Sequence, residues 1–294
     1  MNNINDISVY QMQVESFLQS SLATAFDDTE LWQSIKYTLT VQGKRIRPVL
    51  VLMAAKMLSV STDKVSKFLL AIEYLHNSSL IHDDLPALDN DDYRRGKPTC
   101  HKVYGESTAL LAGDALIVKA FSLITEAVEL EDSEKVKLIS LLTETFYKIC
   151  LGQVLDLKKY NESLISLENR KKALEFKQLN KTAALITTCL LGVFLLSSVS
   201  KDTVGKKNII SAGQNLGLLF QATDDILDSV KDEISGVSKD EQNGIDTYVT
   251  IFGLEKTKQI ACDLAEKTKK ALDYFGEKAG ELKNFVDFIL YRKV

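Results

Sequence analysis

Helical periodicity runs through almost the whole chain, and very little interrupts it. Leu69, Ile72, Leu75 and Leu80 recur at helical spacing between Thr62 and Asp84, and Leu110, Leu111, Ala115, Val118 and Phe121 continue the pattern after Gly105. The stretches Val136 to Leu157 and Ile210 to Val230 read the same way, and strong alternation of period two is absent. Three prolines and 14 glycines in 294 residues leave few places where a helix must stop. The pattern predicts one all-α domain over residues 1–294, an antiparallel bundle of about ten or more helices joined by short loops. Met1 to Val9 is expected to be loosely ordered, and Asp91 to Thr99 and Asp232 to Asp246 to be loops.

With 45% hydrophobic and 26% charged residues the chain can bury a large core. A net charge of −4 argues against nucleic acid as a bulk electrostatic partner. Cys100, Cys150, Cys189 and Cys262 form no close pair and show no zinc spacing, which fits a reducing cytosol and predicts a cytoplasmic protein. The N-terminus has no basic start and no apolar core, so no signal peptide is readable. Ala183 to Val199 carries no charge, but it falls short of a comfortable span and holds Thr, Ser and Gly192. A buried central helix is expected there, and no membrane span.

Two acidic clusters stand out against this apolar background. The first is Asp83-Asp84-Leu-Pro-Ala-Leu-Asp89, followed by Arg94-Arg95; the second is Asp224-Asp225-Ile-Leu-Asp228. Carboxylates this dense repel one another unless a cation compensates them. Without His or Cys partners they suit a hard ion such as Mg2+, which often bridges to phosphates. Gln221, Asp224 and Asp228 share one helical face and Asp225 points away, so Asp224 is the better direct ligand. Pro86 should end or kink the first helix near Leu85, after which the chain can bring Asp89 back beside Asp83. Either cluster alone reads equally well as a solvated helix end.

Basic residues complete the pattern. In Gly43-Lys44-Arg45-Ile46-Arg47-Pro48, Arg47 and Lys44 could clamp a diphosphate while Pro48 opens a helix whose N-terminus points at the anion. His76 lies two turns before Asp83 on the same face, where a core histidine is the plainer reading. Lys181-Thr182 stands at the mouth of the apolar helix, as a phosphate-binding ammonium or a plain flanking lysine.

These residues resemble the all-trans polyprenyl diphosphate synthases of the bacterial farnesyl and bacterial or plant geranylgeranyl type. The resemblance runs from about Gly43 onward through Gly43-Lys44-Xaa-Xaa-Arg47-Pro48, Leu80 to Pro86, Arg94-Arg95-Gly96-Lys97-Pro98-Thr99 and Leu111 to Ala115. It continues through Gly152-Gln153, Lys181-Thr182 and Phe220-Gln221-Xaa-Xaa-Asp224-Asp225-Ile226-Leu227-Asp228. It implies an all-α fold with the site in a central cavity, usually a homodimer, and head-to-tail condensation of isopentenyl diphosphate with an allylic diphosphate. It implies three Mg2+ ions held by Asp83, Asp89 and Asp224, with Asp84 beside them. Lys44, Arg47, His76 and Arg95 would hold isopentenyl diphosphate. Arg94, Lys181 and, through metal, the aspartates including Asp225 and Asp228 would hold the allylic diphosphate, with Thr182 and Gln221 near the carbocation.

The same resemblance bears on product length. The spacing from Asp83 to Asp89 matches bacterial farnesyl synthases and implies a C15 product. Ser78 and Ser79 stand five and four residues before Asp83, and Ser78 replaces a frequent aromatic floor, which makes C20 the alternative. Tyr74, one turn lower, could restore the floor. A lysine that relatives carry before Thr-Tyr falls here at Ile245, and Lys231, or Lys239 second, is a candidate replacement. Three other functions remain: a non-catalytic subunit, from which both aspartate motifs would ordinarily be eroded; a cyclase, which usually alters the second motif; and a cation buffer, which has no use for the arginines.

Overall fold

A computed structural model gives the structure of the protein and describes residues 4–23, 28–157, 166–235 and 246–292, without the side chains of 4–6 and 231–235. Lys239 and Ile245 lie outside these residues. Apart from one two-stranded hairpin, the described elements are helices, as the periodicity predicts. They fall into two compact units, Met1–Ser140 and Leu141–Val294.

The first unit holds α1 (Ile4–Ala23), α2 (Glu30–Thr40), α3 (Ile46–Leu58), α4 (Thr62–Asp83), α5 (Cys100–Tyr104), α6 (Glu106–Thr125) and the start of α7 (Asp132–Asp156). The N-terminal segment expected to be loose is already helical at Ile4, because Ile7, Val14, Leu18 and Leu22 form a buried stripe facing α3 and α4. Thr29 and Ser61 cap α2 and α4 by accepting from the Trp32 and Lys64 N–H groups. α3 is buried along nearly its whole length and α4 packs on it and on α6, so Phe68, Leu69, Ile72 and Leu75 are fully enclosed. Burial of this kind stabilises by about 1.5–3 kcal/mol per large apolar side chain.

Three more local expectations need correction, the first being the loop expected from Asp232, since the helix Thr203–Ser235 extends into it. α3 begins at Ile46 rather than Pro48, since proline is tolerated throughout a first turn, where its missing N–H has no helical partner. Within Asp91 to Thr99, β1 (Tyr93–Arg94) pairs antiparallel with β2 (Lys97–Pro98) across a two-residue turn, Arg95 and Gly96, both at positive φ. That is the backbone a tight hairpin demands.

The second unit holds the rest of α7, then α8 (Leu167–Gln178), a π-helical turn (Leu179–Ala183), α9 (Ala184–Leu196) and α10 (Thr203–Ser235). After these come α11 (Tyr248–Phe252), α12 (Leu254–Leu272), a 3-10 turn and α13 (Gly280–Tyr291). α9 is the uncharged helix and is buried against α10. Among the described residues three helical stretches are long and apolar enough to cross a membrane, Glu106–Thr125, Asp132–Asp156 and Leu167–Leu196. The protein buries 72% of the most apolar part of the last, but only 39% and 28% of the other two. The four cysteines are free thiols.

Candidate active site

In the first unit the chain doubles back where Pro86 predicts. α4 ends at Asp83, the Leu85 N–H reaches the His82 carbonyl, and the Asp89 N–H donates to the Asp83 carbonyl at 2.9 Å. Asp89 is thereby returned to Asp83 by a backbone bond, with its own side chain exposed. Asp84 differs from both. It is buried and accepts from Arg94 through Nε at 2.6 Å and Nη2 at 2.5 Å. Burial pushes its pKa up although Arg94 opposes the shift, and Arg94 also reaches Asp91 at 3.4 Å.

The basic loop before α3 is held from beneath by a residue the sequence reading passed over. Arg45 is buried at φ 48°, with Nε on Glu15 and Nη1 on Glu73, both at 2.7 Å, and Nη2 on the Leu39 carbonyl at 2.7 Å. With Arg45 turned inward, Lys44 is exposed and Arg47 faces α4. Arg47 Nη1 lies 3.1 Å from His76 Nε2. Arginine only donates, so Nε2 is the acceptor and the imidazole is neutral there. Burial and then the neighbouring Arg47, Arg95 and Arg94 hold the His76 pKa well below its usual value.

Arg95 completes this cluster by lying flat on Gly43, where a Cβ would come 2.7 Å from its Cζ. Only glycine admits the guanidinium there. Burial lowers the Arg95 pKa; Glu73 opposes this, and Arg45, Arg94 and Arg47 add to the lowering. Mutually repelling guanidiniums beside a neutral histidine form a receptor for a polyanion. Lys44, Arg47, His76 and Arg95, singled out in sequence, are thus brought to one region.

Lower on α4, Ser78 is fully buried and donates to the Leu75 carbonyl at 2.8 Å, while Ser79 donates to the His76 carbonyl. Tyr74 is buried with its hydroxyl 2.9 Å from Ser21 Oγ of α1.

In the second unit a polar row links three segments. Thr182 donates to Gln221 Oε1 at 3.0 Å, Gln221 Nε2 donates to Asp225 Oδ1 at 2.8 Å, and the Tyr248 N–H donates to Asp225 Oδ2 at 2.7 Å. Asp225 is therefore a buried anchor for the start of α11. Asp224 lies on the other side, and Arg292 beyond α13 reaches it at 2.7 Å while also bonding the Thr223 hydroxyl and Phe220 carbonyl. Arg292 stacks on Phe220 at 4.2 Å. Asp228 is exposed. Lys231 continues α10, its side chain lying outside the described residues.

Lys181 sits in the π-helical turn and bonds Asp156 of α7, which Lys177 shares at 2.9 Å. Gly152 makes room for that turn, since a Cβ would lie 2.7 Å from the Lys181 Cα. Beside it, the buried amide N and O of Gln153 have no partner among the described residues.

Among the described residues no three His, Cys, Asp or Glu side chains form a metal cage. Mg2+ does not need one, because it binds through one or two carboxylates, waters and substrate phosphates. In each unit the donors are carboxylate oxygens, Asp83 and Asp89 in the first and Asp224 in the second, which fits that ion.

The polyprenyl synthetase family model matches residues 28–284. The chain belongs to the polyprenyl synthetase family. Within it, the chain is 36% identical over 285 residues to a geranylgeranyl diphosphate synthase of Cyanophora paradoxa, covering 95% of this chain and 93% of that one. It is 38% identical over 269 residues to a farnesyl diphosphate synthase of Micrococcus luteus, covering 90% of each. A solved geranyltransferase from Legionella pneumophila superimposes with a TM-score of 0.86 at 29% identity, over 98% of this chain and 96% of that one. This polyprenyl synthetase is a transferase, a short-chain prenyltransferase.

Glu73 in the first unit, and Arg292, Asp156 and Lys177 in the second, pair with or beside the candidate residues of their own unit although sequence reading did not single them out. Asp156, one helical turn after Gly152, carried a signal as an acid in an otherwise apolar stretch. Arg292 carried none, because a lone terminal arginine has no pattern.

Proposed function

We propose that this prenyltransferase condenses isopentenyl diphosphate head-to-tail with dimethylallyl or geranyl diphosphate and releases farnesyl diphosphate. The observation that carries the reading is the cluster of Arg47, Arg95 and neutral His76 beside exposed Lys44, a cationic seat next to the acidic turn that ends α4. One family model running through both compact units supports reading them as one catalytic domain.

In this assignment Lys44, Arg47, His76 and Arg95 seat isopentenyl diphosphate. Arg94 and Lys181 serve the allylic diphosphate, and Asp83, Asp89 and Asp224 hold three Mg2+ ions, with Asp84 and Asp225 bracing the two acidic clusters. Bound Mg2+ supplies charge neutralisation for the departing diphosphate. Arg94 and Lys181 add fixed positive charge at the same leaving group, while Thr182 and Gln221 turn oxygen dipoles toward the developing allylic cation. The double bond of isopentenyl diphosphate attacks C1 of that cation, and the proton lost passes to the released diphosphate. Asp228, further along α10, extends the leaving-group side, and Lys231 is the candidate replacement for the lysine that falls at Ile245.

Product length follows from α4. The six-residue step between Asp83 and Asp89 supports C15. The small buried Ser78 favours C20 as the second reading, with Ser79 beside it and Tyr74 one turn below. Chromatography of dephosphorylated products tests this: a C20 majority with farnesyl diphosphate as a good primer would overturn C15. Asp83→Ala should lower turnover by several orders of magnitude with the helical signal intact, since single transition-state contacts are worth about 3–4 kcal/mol. Near wild-type turnover would refute the metal assignment.

The exposed Leu110, Leu111 and Val118 of α6 form an apolar face that a second copy would cover. A C2 homodimer is the assembly this supports, and four free thiols support a cytoplasmic location. Light scattering at the monomer mass would refute the dimer.

A further inference from the structure

Three cations meet two carboxylates where α8, the π-helical turn and Asp246 come together. Arg170 takes the Asp246 carboxylate, through Nε at 3.2 Å and through Nη2. Asp156 is left to two lysines: Lys177 bonds its Oδ1 at 2.9 Å and Lys181 its Oδ2. One ammonium would neutralise Asp156, so this corner of the site carries a spare positive charge.

The two lysines are not equivalent. The Lys177 side chain is 8% exposed and is also fixed by the Asp246 carbonyl at 2.9 Å. That of Lys181 is 26% exposed, and its described partner is Asp156. Lys181 also precedes Thr182, the residue that opens the polar row to Gln221 and the acidic cluster of α10. The more exposed and less restrained ammonium is therefore the one next to Thr182.

We propose that Lys177 is a positioning residue for diphosphate binding: it keeps Asp156 neutralised so that Lys181 can leave that carboxylate and pair with a diphosphate oxygen. The proposal rests on the diphosphate-binding function argued above. Without Lys177, departure of Lys181 would strand a largely enclosed carboxylate, which is costly, and Lys181 would stay where it is. Asp156 is ionised as the exchange requires: burial alone would raise its pKa, but the ammoniums of Lys181 and Lys177 outweigh that and hold it low.

Calorimetry with inorganic pyrophosphate and Mg2+ on the full chain tests this, alongside the KM of each substrate. Lys177→Met should bind pyrophosphate about tenfold or more weakly, the loss of one charge-assisted contact. It should raise the allylic KM and leave the isopentenyl KM unchanged. Lys177→Arg should restore binding. The double variant Lys177→Met/Asp156→Asn should also recover, because Lys181 then has no carboxylate to hold it back; a purely structural Lys177 predicts no such rescue. Wild-type affinity in Lys177→Met, or a double variant no better than the single one, overturns the proposal. If Lys177→Met does not fold, Asp156→Asn alone decides, since it should bind pyrophosphate at least as tightly as wild type and weaker binding overturns the exchange. A wild-type chain that neither binds pyrophosphate nor forms prenyl product would overturn the diphosphate function and this proposal with it. Normal wild-type binding and turnover beside an unaffected Lys177→Met would overturn the proposal alone.

Discussion

Arg45→Met should be among the most damaging single substitutions in the first unit, and its cost can be worked from the contacts. Two ion pairs are lost, and they are not equal. Glu15 is 38% exposed, so its share is at most about 1 kcal/mol. Glu73 is 2% exposed and would keep its carboxylate buried with Asn77 Nδ2, at 3.0 Å, as the remaining described donor. Breaking one side of a buried pair costs about 3–5 kcal/mol. The carbonyl of Leu39 loses its donor as well. Urea unfolding followed by circular dichroism at neutral pH measures the difference directly. The double variant Arg45→Met/Glu73→Met should regain much of the loss, because apolar side chains of similar volume can replace a buried ion pair at little cost. Because Arg45 anchors the loop that carries Lys44 and leads into Arg47 of α3, the single variant should also raise the KM for isopentenyl diphosphate. A loss below about 1 kcal/mol would show that Glu73 does not depend on Arg45 and would refute the reasoning.

Other outcomes follow from single contacts. Gly43→Ala places a Cβ against the flexible end of Arg95, so stability should change by less than about 1 kcal/mol while the isopentenyl KM rises about tenfold; unchanged kinetics would remove Arg95 from the diphosphate seat. Gly152→Ala meets the Lys181 backbone, which cannot swing aside, and should cost about 1–3 kcal/mol in denaturant titrations. His76 has a folded-state pKa below its unfolded value, so between the two the unfolded chain binds the extra proton and stability rises with pH, levelling off above about 6.5. His76→Gln should remove up to about 1.4 kcal/mol per pH unit of that slope below about pH 6.5, and an unaltered slope would show that His76 is not held neutral.

Much of this protein was readable in one dimension, because helices report themselves locally. The spacing of Leu69, Ile72 and Leu75 determined the buried face of α4, and Pro86 determined the turn that returns Asp89 to Asp83, whereas Gln221, expected on the face of Asp224, is bonded to Asp225 instead. The positive-φ hairpin at Arg95-Gly96 was less legible, since its two-residue strands are too short to alternate. Nothing local determined who pairs with whom. Arg292 reaches Asp224 across 68 residues, Arg45 reaches Glu73 across 28, and Lys177 reaches Asp156 across 21. Each pairing joins segments far apart in the chain, so it exists only once apolar faces have packed and fixed which charges are left side by side without water. The sequence determined the helices and the acids they display; tertiary packing decided which acids are already matched by a cation, because a buried charge must be paired wherever the packing happens to place it.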